Sequence, residues 1–194
     1  MPVLMTLELP GGTTAQYDRA TAVVGLAEDG DPPPGLVVHI CAATDDGIEV
    51  VDVWDSVSSL DEFARNRLRP ALADAGLAAA TPHISPVHAL LFGTGKEPNV
   101  LVLLHAAGVT GEEYDALVSR MPLYAGGGVN HPAVMHLAAI DPDGLRTVGL
   151  WDTEEGYKTF AQSQLFPAIA NPHHFVLRVW PVHNHVLVRP RADG

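Results

Sequence analysis

At 194 residues, with 47% apolar and 18% charged side chains, the chain has the composition of a packed globular protein rather than a disordered one. Its formal net charge is −12 and its densest basic run is Arg65, Arg67 and Arg69, which excludes nucleic acid and anionic membrane as expected partners, since both need a concentrated basic surface. The single cysteine, Cys41, rules out an intrachain disulfide, and with no signal-peptide pattern at the start and no apolar run of spanning length the expectation is a cytoplasmic protein.

Residues 3–9 read as a strand closed by Pro10-Gly11-Gly12, after which Thr13 or Thr14 can cap a helix carrying Tyr17, Ala20, Val23 and Val24 at helical spacing. The segment from Asp29 to Gly35 holds three consecutive prolines and reads as a rigid loop. Residues 36–43 form a second strand, apolar on both faces except at His39, and Asp45-Asp46-Gly47 turns it back into a third strand over 48–54. Asp55 then serves as N-cap of a helix with Leu60, Phe63, Ala64 and Leu68 on one side, which Pro70 should break or kink. A final strand runs near 83–92, and the same order returns from Val100 to Val188.

That return is literal. At an offset of 97 residues Tyr17-Asp18 recurs as Tyr114-Asp115, His39 as His136, Trp54-Asp55 as Trp151-Asp152, Phe63 as Phe160, and Leu68, Pro70, Ala71 as Leu165, Pro167, Ala168. Pro86-Val87-His88 is echoed, two residues short of that offset, by Pro181-Val182-His183. Two domains follow, a first ferredoxin-like repeat over 1–95 and a second over 98–191, each β-α-β-β-α-β. The fold class is α+β: two tandem ferredoxin-like units packed sheet to sheet, because a second strand apolar on both faces needs its open face covered.

The motif Val53-Trp54-Asp55-Ser56 followed by Phe63, with Leu150-Trp151-Asp152-Thr153 followed by Phe160, resembles the dimeric α+β barrel superfamily, and within it the antibiotic-biosynthesis monooxygenase-like branch. The resemblance covers both halves and implies an intrachain pseudo-dimer, with further homodimerisation open. It also implies a small-molecule aromatic or polyketide-like substrate and no required cofactor, the substrate anion itself reducing oxygen. The superfamily includes haem-degrading oxygenases, cyclases, isomerases and stress-response proteins, so fold alone does not choose among them.

Four histidines are the catalytic candidates. His39 and His136 lie in the apolar second strands, where a neutral imidazole can act as general base, or can be a core histidine bonded to backbone. His88 and His183 lie on the last strands, and the superfamily's topology would bring His183 near His39 and His88 near His136. Trp54, Trp151, Tyr17 and Tyr114 are the substrate-binding candidates, with packing against the helices as the competing role. Tyr124 and Tyr157 occur in the second half only, and Glu8 and His105 are equivalent positions that differ. His183 and His185 share a strand face at a workable metal-ligand spacing, and His131 and His173-His174 add to the count, yet no third ligand completes a motif; no metal site is assigned, and haem or a transition metal is a minority alternative. Cys41 shares the face of His39, but Ala138 at the matching position favours a small packed residue over a nucleophile. Three functions therefore stand: a cofactor-independent monooxygenase with His as base, a non-catalytic ligand-binding or stress-response protein, and a haem- or metal-binding protein.

Overall fold

The computed structural model describes residues 1–27, 30–77, 80–121, 131–169 and 174–188. Asp29, Tyr124, the Gly126-Gly127-Gly128 run and His173 lie outside the described residues. The first repeat gives β1 (Val3–Pro10), α1 (Thr14–Val24), β2 (Leu36–Thr44), β3 (Gly47–Trp54), α2 (Val57–Phe63), α3 (Arg69–Asp74) and β4 (His83–Phe92). The second gives β5 (Val100–Ala107), α4 (Gly111–Ser119), β6 (Met135–Asp141), β7 (Gly144–Trp151), α5 (Glu154–Phe160), α6 (Phe166–Ala168) and β8 (Phe175–Leu187). The class is α+β, with antiparallel strand pairs and tandem ferredoxin-like element order.

Local chemistry accounts for the helix starts. Thr13 and Thr110 each form a reciprocal capping box, with Gln16 and Glu113 three residues on, which satisfies N-terminal donors that no helical carbonyl reaches. At the second helices the caps are Ser56 and Thr153, accepting from Ser59 N–H and Gly156 N–H, rather than the preceding aspartates. Asp55 is instead bonded by the Ser56 and Ser59 hydroxyls, and Asp152 by the Lys96 and Glu97 backbone N–H groups.

Pro70 does not break its helix. A π turn over Ala64–Leu68 precedes it, in which the Arg69 N–H reaches five residues back to Ala64 O. The wider turn relieves the clash of the proline ring with the preceding turn, and the chain continues as α3. Pro167 is handled identically by a π turn over Ala161–Leu165, with the Phe166 N–H on Ala161 O.

The repeats of sequence and the compact units divide the chain differently. One unit comprises Met1–Ser85 with Val182–Gly194, the other Pro86–Pro181, because β4 and β8 run on past their own repeats. In the first unit the strand order is β1-β3-β2-β8, with His39 opposite Val186 and Cys41 opposite Asn184. In the second it is β8-β5-β7-β6-β4, with His136 opposite Leu91. This exchange brings His183 into the first unit and His88 into the second.

The cores also differ. The first unit packs one continuous cluster that includes Met5, Leu9, Leu26, Trp54, Phe63 and Leu77. Among the described residues the second shows smaller clusters, one around Trp151, Tyr157 and Phe160 and one around Ala106, Tyr114 and Leu145.

Candidate functional site

In the first unit, the β2–β3 register sets His39 directly across from Asp52, and alternation along the strands points both to the same face. His39 Nδ1 lies 2.6 Å from Asp52 Oδ1, and its Nε2 is hydrogen-bonded to the Tyr17 hydroxyl from α1. Trp54 Nε1 donates to Asp52 Oδ2 at 3.3 Å, and Asn184 Nδ2 donates to the Tyr17 oxygen at 2.9 Å. His39 and Asp52 are each 1% exposed, Tyr17 2% and Trp54 0%. Burial pushes the Tyr17 phenol far above its ordinary value and the Cys41 thiol up to about 12, so neither ionises at neutral pH. Each polar atom named here has a protein partner, and no surface is left for a substrate. Tyr17 and Trp54, candidates for substrate contact, are core residues; Trp54 packs on Phe63 at 4.9 Å between ring centroids.

The second unit keeps the frame and opens it. A cavity of about 610 Å³ lies between helices and sheet, within the usual size range of small-molecule sites. Its wall includes Tyr114, His136, Gly149, Trp151 and Tyr157. The room comes from side-chain size: at the offset of 97, Met5 becomes Val102, Leu9 becomes Ala106, and Asp52 becomes Gly149. The cavity separates the two clusters that the first unit fuses into one.

The Tyr114 hydroxyl lies 3.1 Å from His136 Nε2, repeating the Tyr17–His39 contact, while the carboxylate partner is gone. His131, wholly buried, stacks on His136 at 5.6 Å and packs against Trp151 and Phe160. Desolvation by the apolar surround, with His131 adding repulsion, pulls the His136 imidazole down to about 3; desolvation pulls His131 down to about 4. Burial raises the Tyr114 phenol above its ordinary value. Both imidazoles are neutral at physiological pH.

A pH dependence follows. Between the ordinary imidazole value and these lowered ones the unfolded chain binds more protons than the fold, so the stability is fully present above about pH 6.5 and falls as pH drops toward 4 and then 3. Each imidazole that stays neutral contributes about 1.4 kcal/mol per pH unit across that window, less for half-buried His136, which water in the cavity can hydrate. Thermal melts between pH 7 and 4.5 should show this slope, and His136→Phe should shallow it; an unchanged slope would contradict the assignment.

The remaining candidates divide by position. His88 packs edge-on to Tyr114 at 5.6 Å and its Nε2 contacts Asp115 at 2.8 Å; His183 does the same with Tyr17 at 5.8 Å and with Asp18 at 2.7 Å. Each therefore flanks the same tyrosine as its partner histidine, without being part of the cavity wall. His105 lies on β5 between the cavity-lining Leu104 and Ala106, hence on the opposite face, where its buried Nε2 has no hydrogen-bond partner among the described residues. Among the described residues no group of three converging metal-ligand atoms includes His39, His88, His136, His183 or His185. His136 Nε2 is engaged by Tyr114 in either tautomer, so the donor set does not fit a metal centre or an axial iron ligand at that nitrogen.

No family model matches the chain, and no curated relative matches it. Solved structures do. A protein designated a monooxygenase, from Lactobacillus acidophilus NCFM, superposes with a TM-score of 0.62 at 9% identity, covering 93% of this chain and 92% of that one. An anthrone oxidase-like protein gives 0.53 at 12% identity over 95% and 92%. A major regulator of staphylococcal pathogenesis gives 0.53 at 10% identity over 93% and 98%. At such identities the likeness is one of architecture, and it extends over nearly the whole chain. The chain thus has the fold of the dimeric α+β barrel superfamily, built from two tandem ferredoxin-like units.

Proposed function

We propose that the second unit is a small-molecule enzyme of the monooxygenase type, acting on a flat phenolic or polyketide-like substrate with His136 as general base. The observation that carries this reading is the cavity that places His136 and Tyr114 on an otherwise largely apolar wall, at positions whose counterparts in the first unit are sealed. The names of two fold neighbours, one designated a monooxygenase and one anthrone oxidase-like, agree with it.

In this mechanism the neutral imidazole takes the phenolic proton while the Tyr114 hydroxyl, itself kept protonated by burial, holds the ring in place. An imidazolium of pKa about 3 facing a phenol near 10 makes free transfer uphill by roughly 9 kcal/mol. Transfer therefore requires the phenolate to form against the imidazolium, as a contact pair inside the cavity. The electron-rich anion then supplies the electrons that reduce oxygen. For a ring methylene the balance is CH2 + O2 → C=O + H2O, with one oxygen atom retained and one leaving as water.

The test uses the first repeat's own side chains. Val102→Met with Ala106→Leu should refill the cavity, since both residues fit the equivalent sites Met5 and Leu9. Oxygen uptake and calorimetric binding with anthrone-like and naphthol substrates should be present in the parent and at least tenfold weaker in the double variant. Binding without oxygen uptake would make the unit a carrier or sensor, and equal behaviour of the two proteins would remove the cavity from the function.

A further inference from the structure

At the position directly opposite the histidine of the second strand, Asp52 in the first unit is Gly149 in the second. In the first unit that carboxylate accepts from two directions, 2.6 Å from His39 Nδ1 and 3.3 Å from Trp54 Nε1. The second unit retains both groups around the vacated position, as His136 opposite Gly149 in the β6–β7 register and Trp151 two residues further along β7. A Cβ on Gly149 would stand 2.7 Å from Trp151 Nε1, so the polar edge of the indole lies over the glycine and the absence of a side chain is what admits it. That N–H has no hydrogen-bond partner among the described residues, and Trp151 is on the cavity wall.

A donor held in a largely apolar cavity, where its counterpart holds an anion, is a recognition element for an anion. The charge on the wall agrees. Arg120 is its one cationic side chain, giving its Nε–H to Ala168 O and pairing with no carboxylate among the described residues. The one carboxylate on the wall, Glu113, is occupied by the backbone N–H and hydroxyl of Thr110 in the capping box. In a chain of net charge −12, a cation and an indole N–H on one cavity wall, neither bonded to a carboxylate among the described residues, set the cavity apart from the surrounding surface.

We propose that the ligand supplies to the second unit the oxyanion that Asp52 supplies to the first: an aromatic acid, carboxylic or ionised phenolic, whose charged oxygen accepts from Trp151 Nε1–H beside Gly149. This rests on the cavity being the functional site, and it assigns Trp151 a role beyond packing against the ring. Gly149 becomes the specificity-determining residue, since any side chain there displaces the indole and an acidic one repels the ligand.

Calorimetric titration with 2-naphthoate and with its neutral isostere 2-naphthamide tests it. The parent should bind the acid at least about tenfold more tightly than the amide, the range expected of a hydrogen bond to a charged group. Trp151→Phe keeps an aromatic ring against Phe160 and removes the N–H along with part of the indole; the lost ring area weakens acid and amide alike, so the loss of the N–H should show as the erasure of most of that preference. Gly149→Asp should abolish naphthoate binding. If Gly149→Asp fails to fold, Trp151→Phe still decides. Equal affinity for acid and amide, or a preference that survives Trp151→Phe, would overturn the inference and leave the cavity reading standing, whereas failure of both probes to bind would count against both.

Discussion

Replacing His136 by alanine should lower oxygen uptake with a phenolic substrate by about 10²–10⁴, the usual worth of a positioned acid or base, while His39→Ala should leave turnover per folded molecule unchanged. The contrast is what makes this informative, because the two histidines occupy equivalent strand positions and both contact a tyrosine hydroxyl. They differ in access. His39 is 1% exposed and fully partnered, whereas His136 is on the wall of a cavity of about 610 Å³. Added imidazole should restore part of the activity of His136→Ala, since deleting the ring leaves a ring-sized space on the wall of a cavity of about 610 Å³. Tyr114→Phe should cost less, about tenfold, because it removes an orienting hydrogen bond and not the proton acceptor. Turnover that falls equally for His39→Ala and His136→Ala at unchanged folded fraction would show that both act through stability, and the base assignment would be withdrawn.

The duplication and the α+β architecture were legible because they rest on patterns that tertiary context does not override: strand alternation, turn signals and a gap-free offset between Trp54 and Trp151. The contacts of His39 with Tyr17, and of His136 with Tyr114, needed the fold, since α1 and β2 are separated by a loop whose length does not determine which faces meet. Asp52 was overlooked as a partner of His39 although the hairpin at Asp45-Asp46-Gly47 sets the two directly opposite; counting the register outward from that turn would have found it. Its replacement by Gly149 is equally visible at the offset of 97, as a difference between positions whose neighbours Trp54 and Trp151 repeat. The π turns before Pro70 and Pro167 could not be read from spacing, because the rule that proline breaks a helix ignores the option of widening the preceding turn. The cavity was also out of reach, as it depends on several small reductions in volume acting together, Met5 to Val102 and Leu9 to Ala106 among them, none of which signals a void alone.

Asp52→Ala should destabilise the first unit by about 3–5 kcal/mol, the cost of leaving a buried polar pair with one partner. The carboxylate has two protein donors, His39 Nδ1 and Trp54 Nε1, and all three residues are at most 1% exposed. Removing it strands two buried N–H groups where no water reaches them, at about 1–3 kcal/mol each. Denaturant or thermal unfolding should report the loss as a fall of roughly 10–20 °C in the transition of that unit. The double variant His39→Leu with Asp52→Ala should regain part of it, because it removes one of the two stranded N–H groups and leaves the Trp54 N–H, together with the Tyr17 hydroxyl, which retains Asn184 as donor. A loss below about 1 kcal/mol in Asp52→Ala would mean that the first unit tolerates the vacancy as it stands. The second unit carries that same vacancy natively at Gly149 with the indole drawn over it, so the Trp151 N–H has no side chain at that position to match the carboxylate that Trp54 finds in Asp52, and under the proposal above that acceptor comes from the ligand.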